Sequence, residues 1–429
     1  MPDTKDKLGI IFFPAFDWAI SPTHPEREER LLYTQDQFLE EGIFDLGGIT
    51  EHKPLIATEE DILRCHFCFP DAASVCTEAH RISAGGAIKA AQLVVQGQAQ
   101  KGFALVRPPG HHAMKSVHGS RGFCNINIEA VMIEWLRKHH GLRRVAVVDT
   151  DCHHGDGSQD VFWHDPDTLF ISIHQDGRTL YPGSGFPDED GGPKAKGRTI
   201  NIPLPPNTGD AGFLQALQEI VMPILADFKP ELVINSAGQD NHYSDPITNM
   251  NFSAQGYARL NDILNPDIAV LEGGYSIQGA LPYVNLGIAL AMAGYDYSQV
   301  REPDFIPQRS AQTRQVSDYI KRLCQELPEI YFSPSPVKEK PVDGFFIRQR
   351  SIFYDTDGIQ ENQREKLRDC PNCPGLLWLE SSSNVQGLSL GLQIPRGACD
   401  KCVTQALEME ATAKKSDRYK TVQLIDQQN

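Results

Sequence analysis

Short apolar runs and amphipathic stretches alternate along the first 295 residues of the chain. The runs are four to six residues long and rich in β-branched side chains, which is typical of buried strands. Between them, apolar residues recur at helical spacing. The predicted strands are 8–13, 102–106, 145–148, 169–173, 232–235 and 268–271, and the predicted helices are 78–96, 128–140, 212–226 and 253–264. This alternation predicts an α/β fold with a central, mostly parallel β-sheet flanked by helices.

Polar residues of unusual types follow five of the predicted strands directly. These segments are 107–113, 149–157, 174–177, 236–240 and 272–275, and they are rich in His, Asp, Gly and Tyr. In open parallel sheets the functional crevice lies beyond the carboxyl ends of the strands. The pattern therefore predicts one shared site that is built from five strand ends.

Beyond residue 301 the alternation stops and prolines interrupt the chain. Six prolines fall between residues 303 and 341, with one short helical stretch near 317–324. The last residues are polar, which is typical of a frayed terminus. We therefore predict a catalytic α/β domain at 1–300, a Pro-rich linker or wrapping arm at 301–365, a small cysteine-bearing module at 366–410 and a polar tail at 411–429.

Charge and hydropathy limit the classes of partner. The chain has 40 Lys and Arg against 56 Asp and Glu, a net charge of −16. Such a surface repels nucleic acid and mildly attracts cationic substrates such as Lys-rich tails and polyamines. The longest apolar run, around 286–294, is about half of what a bilayer requires, and the first residues lack the pattern of a secretory signal. We expect no nucleic-acid partner, no membrane association and a cytoplasmic location.

The segment VVDTDCHHGDG, residues 147–157, is the richest in metal-binding side chains. Residues two apart on an extended stretch face the same way, so Asp149, Asp151 and His153 share one side. Carboxylate oxygen and imidazole nitrogen suit Zn²⁺, and three protein ligands leave a fourth position open for water in a catalytic site. Asp240, which ends the segment LVINSAGQD, is the natural third ligand. The alternative, helix caps that follow strands, does not explain this density of Asp and His.

The motifs RPPGHHA and EGGY supply candidate groups for proton transfer. His111 and His112 carry the side chain that is best matched to proton transfer near neutral pH. Asp149 and Asp156, on the neighbouring strand end, are available to orient the two imidazoles. The hydroxyl of Tyr275 could face an oxyanion that forms on a substrate carbonyl. Each motif alone would be read as a surface His pair or a packing Tyr, but together they indicate catalysis.

These motifs resemble the histone deacetylase and acetylpolyamine amidohydrolase superfamily, whose members have the arginase–deacetylase fold. The resemblance covers roughly residues 8–300 and keeps the motifs in the family's order. The matching stretches are RPPGHHA, GFCNIN, VDTDCHHGDGSQDVF, ISIH, YPGSG, GQDNHYSDP and LEGGY. EGGY and the NIPLPP and GRT context look closer to class II and bacterial-type deacetylases than to class I.

The resemblance implies roles for individual residues. Catalytic zinc would be held by Asp151, His153 and Asp240. The tandem general base and electrostatic catalyst would be His111 and His112, supported by Asp149 and Asp156, and Tyr275 would polarise the substrate carbonyl. The walls of a narrow acyl-lysine tunnel would be Gly122, Phe123, Tyr181 and Gly274. A monovalent cation, K⁺ in the family, would be held by Asp149, Asp151, His153, Ser172 and Ile173.

Four cysteines near the end of the chain form two C-x-x-C pairs. They are Cys370, Cys373, Cys399 and Cys402. Two such pairs at this separation predict a structural zinc ribbon with four thiolate ligands, against the alternative of four unrelated thiols. This ribbon is not part of the family's core pattern. Support of oligomerisation, cover of the tunnel mouth and recruitment of a partner all remain open roles.

The resulting hypothesis is a zinc-dependent deacylase that acts on acyl-lysine in proteins or peptides. The nearest alternative is an acetylpolyamine amidohydrolase, which would carry an acidic residue at the tunnel mouth. A two-metal ureohydrolase is disfavoured because DTDCHH does not supply its ligand spacing, and a non-enzymatic scaffold is the remote alternative. Acyl-chain length, homo-oligomerisation and the choice of Zn²⁺ or Fe²⁺ are left open.

Overall fold

The centre of the protein is an eight-stranded sheet in which all neighbouring strands are parallel. The computed structural model describes residues 5–428. The first ten strands along the chain are β1 (Asp6–Phe13), β2 (Ile49–His52), β3 (Phe67–Cys68), β4 (Ala99–Val106), β5 (Ser116–Val117), β6 (Val145–Asp149), β7 (Thr168–Gln175), β8 (Thr199–Leu204), β9 (Leu232–Ala237) and β10 (Ile268–Leu271). The large sheet has the order β2-β1-β4-β10-β9-β6-β7-β8, while β3 and β5 pair separately. The predicted parallel α/β fold is confirmed.

Helices pack on both faces of this sheet, except the last one, which packs against the C-terminal strands instead. They are α1 (Leu32–Glu40), α2 (Glu59–Leu63), α3 (Ala72–Val75), α4 (Glu78–Val95), α5 (Ile128–His140), α6 (Asp156–Phe162), α7 (Asp210–Ala216), α8 (Met222–Phe228), α9 (Ala254–Leu264), α10 (Leu281–Met292), α11 (Arg314–Glu326), α12 (Pro328–Phe332) and α13 (Asp400–Lys414). The helix predicted at 212–226 is α7 and α8 joined by a π-helical turn, Leu217–Val221. Helix α10 was not predicted from the sequence, because its residues are apolar and buried on nearly every side and show no amphipathic period.

The core lies in two layers, one on each face of the sheet. Along β6 the side chains alternate between these layers: Ala146 and Val148 join one apolar cluster, and Val145 and Val147 join the other. A strand that is covered on both faces reads as a continuous apolar run, which is why β6 could be found in the sequence. The polar residues that follow it are therefore held at the end of a rigid element.

The C-terminal part of the chain forms a second sheet. Its strands are β11 (Phe345–Tyr354), β12 (Ile359–Arg368), β13 (Leu377–Ser383), β14 (Ser389–Ile394) and β15 (Val422–Asp426). The first four pair antiparallel in chain order, and β15 pairs parallel with β14. The range 301–365, predicted as a Pro-rich linker or wrapping arm, holds α11, α12, β11 and the first part of β12, so part of it belongs to this second sheet. The boundary of the catalytic domain that was predicted at residue 300 stays a prediction.

The buried face of β12 explains why the sequence did not predict this sheet. Burial alternates along the strand, but the buried positions carry polar side chains, including Glu361, Gln363 and Glu365. Sequence patterning detects a strand by its apolar face, and here that face is mostly polar.

The range 411–429, predicted as a polar, frayed tail, also contains regular structure. Helix α13 continues to Lys414, and β15 inserts Ile425 into an apolar cluster with Phe67, Phe69 and Leu379. The second sheet is thereby attached to the segment around β3. Within residues 5–428, no helix combines the length and apolarity that crossing a bilayer requires.

Candidate active site and cysteine cluster

The five strand ends that carry unusual polar residues belong to neighbouring strands. Strands β4, β10, β9, β6 and β7 follow one another across the sheet. Because they are parallel, their carboxyl ends meet at one edge. The sequence supplies a short polar loop after each of these strands, and the structure brings those loops together at a single place.

Asp151, His153 and Asp240 form a buried cluster at the centre of this edge. Their nearest donor atoms all lie within 4.8 Å of one another. His153 Nδ1 lies 2.8 Å from Asp240 Oδ2 and 3.2 Å from Asp151 Oδ1. Backbone N–H groups fix the carboxylates: Cys152 donates to Asp240 Oδ1 (2.7 Å) and Gly273 donates to Asp151 Oδ2 (2.7 Å). Two buried carboxylates and an imidazole facing one point fit a catalytic divalent cation.

The electrostatics of this cluster favour a cation. Burial, and then the charge of Asp151, raise the pKa of Asp240. Two ionised carboxylates in a buried site repel each other, and a metal ion between them relieves that repulsion. Gly273 is required for the close approach, since a Cβ there would clash with the carboxylates of both Asp151 and Asp240.

The two tandem histidines lie beside this cluster with separate carboxylate partners. His111 Nδ1 is 3.0 Å from Asp149 Oδ2, and His112 Nδ1 is 2.7 Å from Asp156 Oδ1. Arg121 pairs with the other oxygen of Asp156 at 2.6 Å. With Nδ1 engaged in both rings, Nε2 of His112 is left for chemistry, while Nε2 of His111 lies 3.8 Å from Asp151 Oδ1.

The pKa values of these two imidazoles move in opposite directions. Burial lowers the pKa of His111, but Asp151 and Asp149 outweigh burial and raise it well above the ordinary value. Burial, followed by the charge of His111, lowers the pKa of His112 to about 4 despite its bond to Asp156. Neighbouring groups whose environments separate their pKa values can divide acid and base roles between them.

A buried glutamate supports the backbone of the His pair. Glu272 Oε2 accepts hydrogen bonds from the N–H groups of Gly110 (2.6 Å) and His111 (3.0 Å). Burial, and then the neighbouring Glu129, raise the pKa of Glu272 well above its ordinary value. The role of Glu272 could not be predicted from the motif EGGY, because a lone Glu after a strand gives no sign of its partners.

Tyr275 follows Glu272 on a loop that is held from behind. Its N–H donates to Asp245 Oδ2 at 2.8 Å, and the guanidinium of Arg30 lies 4.9 Å from its ring centroid. Arg30 Nε also donates to Gly274 O at 2.8 Å, and its Nη2 donates to Glu272 O. Burial raises the pKa of the Tyr275 hydroxyl well above its ordinary value, so the hydroxyl remains a hydrogen-bond donor at neutral pH.

Arg30 itself belongs to a buried ion-pair network. Glu26 pairs with Arg30 and with Arg107, both at 2.8 Å, and all these side chains are fully buried. Glu26 and Arg30 could not be predicted from the sequence, because they come from a polar stretch before α1 that has no motif. Arg107 stood in the quoted motif RPPGHHA without an assigned role.

The residues predicted to form tunnel walls lie close to the His pair and to Tyr275. Tyr181 lies 5.1 Å from His112, and Phe123 lies 5.6 Å from Tyr275, both between ring centroids. Gly122 has φ +51°, and a Cβ on it would lie 2.6 Å from Cγ of His112. Gly274 has φ +117° and packs against Gln239, next to Tyr275. The exposed Asp355, between β11 and β12, accepts from Tyr181 OH at 2.9 Å.

The residues predicted for a monovalent cation come from two adjacent strands and the loop after the first. Asp149 of β6 is the pairing partner of Ser172 of β7. Asp149 Oδ1 accepts from the N–H of Asp151 at 3.1 Å, and Ser172 Oγ lies 2.9 Å from His174 Nδ1. The K⁺ site stays a prediction.

The four C-terminal cysteines meet at one end of the second sheet. Their Sγ atoms are separated by 3.8 Å (Cys370–Cys399), 3.7 Å (Cys373–Cys399) and 3.5 Å (Cys373–Cys402). Four thiolates at about 2.3 Å from Zn²⁺ in a tetrahedron lie about 3.8 Å apart. The cluster therefore fits a zinc-binding appendage, although the sheet that carries it extends beyond the range 366–410.

Comparisons with known proteins agree with this geometry. A family model described as histone deacetylase domain matches residues 70–285, half of the chain. A probable deacetylase of Archaeoglobus fulgidus is 45% identical over 330 aligned residues, covering 70% of this chain and 90% of that protein. A histone deacetylase-like amidohydrolase of Pseudomonas aeruginosa is 36% identical over 240 residues, covering 53% of this chain and 62% of that protein. The crystal structure of the HDA15 HD domain has a TM-score of 0.63 and 25% identity, covering 76% of this chain and 97% of that one.

The chain therefore belongs to the histone deacetylase family. Its sheet is that of the arginase–deacetylase fold, and it is a hydrolase that acts on amide bonds. The resemblance noted in the sequence motifs is confirmed.

Proposed function

We propose that the protein is a zinc-dependent deacylase that hydrolyses the amide of Nε-acetyl-lysine in proteins or peptides. The observation that carries this proposal is the juxtaposition of two sets of groups. The Asp151–His153–Asp240 cluster lies beside an imidazole, His112, that leaves its Nε2 free. Aromatic rings narrow the entrance above them, which suits the long apolar stem of an acylated lysine.

Each side chain has a position that suits one part of the reaction. A divalent cation held by the cluster supplies Lewis acidity toward the amide carbonyl and toward water. His112 accepts a proton from the attacking water at Nε2. Tyr275 donates its hydroxyl hydrogen bond to the carbonyl oxygen as negative charge develops there. A protonated imidazole of the His111–His112 pair then donates to the leaving nitrogen, and the products are a carboxylate and a free amine.

The other ions in this proposal have separate support. The pairing of Asp149 with Ser172 supports the K⁺ site, in which Asp151, His153 and Ile173 would take part. A cation there would alter the basicity of the adjacent His111. The Sγ separations support a structural zinc at the four cysteines. A cytoplasmic location remains a prediction.

A second candidate substrate class is the acetylated polyamine. The specific observation in its favour is the exposed carboxylate of Asp355 at the entrance, together with the net charge of −16. A negative group at the entrance favours a substrate that carries further ammonium groups.

Parallel assays separate these candidates. Purified protein with measured zinc content is given a fluorogenic acetyl-lysine peptide, N-acetylputrescine and N-acetylspermidine. The proposal expects turnover of the peptide that is lost in Tyr275→Phe and after chelation and is restored by Zn²⁺. Turnover of the polyamines alone would transfer the assignment to small-molecule deacetylation, and turnover of none would contradict both.

A further inference from the structure

The turn between β11 and β12, residues 355–358, contacts the loop 119–123 at the entrance of the site. Asp355 Oδ1 accepts from the N–H of Gly122 at 3.0 Å as well as from Tyr181 OH at 2.9 Å. Asp357 Oδ2 accepts from the N–H of Ser120 at 2.6 Å. The turn lies outside residues 70–285, which match the family model. Part of the pocket wall is therefore held by a segment beyond that match.

The loop 119–123 has a conformation that needs such support. Gly122 and Phe123 have φ values of +51° and +71°, and positive φ is unfavourable for a residue such as Phe. Within the loop region, Arg121 and Cys124 exchange backbone hydrogen bonds of 2.9 and 2.8 Å. A strained backbone persists only when its surroundings fix it. The carboxylates of the turn supply fixed acceptors on its outer side.

This loop reaches the proton-transfer groups directly. Arg121 donates to Phe353 O on β11 and pairs with Asp156, which holds His112. Phe123 packs edge-on against Tyr275. A displacement of the loop would therefore change both the entrance and the orientation of an imidazole.

We infer that Asp355 is a positioning residue of the catalytic pocket. One oxygen of its carboxylate binds Gly122 and Tyr181 at the same time, and so sets the distance between two walls of the entrance. This inference rests on the proposed function only for the choice of substrate in the assay. The hydrogen bonds to the loop also predict that loss of Asp355 speeds hydrogen–deuterium exchange in 119–124. That measurement requires no substrate.

Two substitutions separate the acceptor from the charge. Asp355→Asn keeps a carbonyl oxygen that can accept both hydrogen bonds, whereas Asp355→Ala removes the acceptor. Asp417→Ala serves as the matched control, since Asp417 is exposed and belongs neither to the turn 355–358 nor to the loop 119–123. Hydrogen–deuterium exchange of the peptide that spans 119–124 is the first readout, with steady-state kinetics on the acetyl-lysine peptide as the second.

We expect Asp355→Ala to speed exchange in 119–124 and to lower kcat/KM about 10-fold, mainly through KM, because the shared acceptor of two hydrogen bonds is lost. The kcat/KM of Asp355→Asn should stay within about 3-fold of the wild-type value. Asp417→Ala should match the wild type in both exchange and kcat/KM. Tyr181→Phe should lower kcat/KM much less in the Asp355→Ala background than in the wild type, since both substitutions remove the same hydrogen bond.

Several results would overturn the inference. Unchanged exchange in Asp355→Ala would do so whatever the activity, as would faster exchange with unchanged kinetics. If Asp355→Asn lowered kcat/KM as much as Asp355→Ala does, the negative charge of Asp355 would be required and not its hydrogen-bond acceptor. If the wild type turns over no peptide, the proposed function fails, and exchange in 119–124 decides the positioning role alone.

Discussion

Arg30 supports the loop of Tyr275 from inside the protein, and its replacement tests how much the site depends on that support. The guanidinium donates to Gly274 O at 2.8 Å and to Glu272 O, and pairs with Glu26 at 2.8 Å. Arg30→Met keeps much of the apolar volume but leaves these acceptors without their donor. In this variant Glu26 still pairs with Arg107, so one of its two ion pairs remains.

The magnitude follows from the number of groups left unpaired. A buried acceptor that loses its donor costs about 1–3 kcal/mol, and breaking one side of a buried ion pair costs about 3–5 kcal/mol. Since the backbone carbonyls can shift toward new partners, we expect a loss of about 3–5 kcal/mol in the free energy of unfolding. We also expect kcat to fall about 10- to 100-fold, because a misplaced Tyr275 hydroxyl no longer meets the developing negative charge.

Urea unfolding followed by circular dichroism gives the free energy, and turnover of the acetyl-lysine peptide gives kcat. Arg314→Met is the matched control, because Arg314 is 93% exposed in its side chain and should change stability by no more than about 0.5 kcal/mol. An Arg30→Met protein as stable as the wild type would refute the argument from buried partners. A protein that is less stable but has unchanged kcat would refute the link to Tyr275.

Three further predictions concern the cysteine cluster, the His pair and the second sheet. Cys402→Ser should reduce bound zinc by one ion per chain in elemental analysis and lower Tm, whereas Cys324→Ser, outside the cluster, should leave the zinc content unchanged. Asp156→Asn should lower kcat about 100-fold with little change in KM, because it weakens the group that orients His112; equal kcat values would contradict this. Burial raises the pKa of Glu365, but Arg348 and His164 hold it well below the ordinary value, so its stabilisation is present above the unfolded pKa of about 4.3 and is lost as pH falls through the folded value. Glu365→Gln should therefore show a smaller fall in Tm between about pH 5 and about pH 3 than the wild type does.

The strands and loops that carry the chemistry could be predicted because they obey two simple patterns. Strands such as β6 are apolar on both faces, and the residues that follow them are polar and of unusual types. The sheet order could not be derived from the sequence, but any parallel arrangement of these strands places their carboxyl ends at one edge. This is why Asp151, His153 and Asp240 were found together.

The residues that support the site could not be found in the same way. Glu26, Arg30 and Glu272 act through buried partners that are far away in the chain, and their own neighbours in sequence give no sign of those partners. His242, in the matching stretch GQDNHYSDP, is a further case of a distant buried partner. It is fully buried and lies 3.2 Å from Glu302.

Helix α6 connects the second sheet to the candidate site. Asp156 and Asp160 lie four residues apart on α6 and so share one side of it. Asp156 holds His112, while Asp160 pairs with Arg350 of β11 at 2.6 Å.

One short helix thus connects an imidazole of the His pair to the second sheet. Further polar bonds fix the same interface, including Ser116 Oγ to Glu361 at 2.6 Å and Arg396 to Glu134 at 2.7 Å. Buried polar contacts tolerate little displacement, because each misplaced group loses its partner at a cost of about 1–3 kcal/mol. A shift of the sheet would therefore move α6, and with it the carboxylate that is bonded to His112. The position of the C-terminal sheet is thus coupled to the orientation of that imidazole.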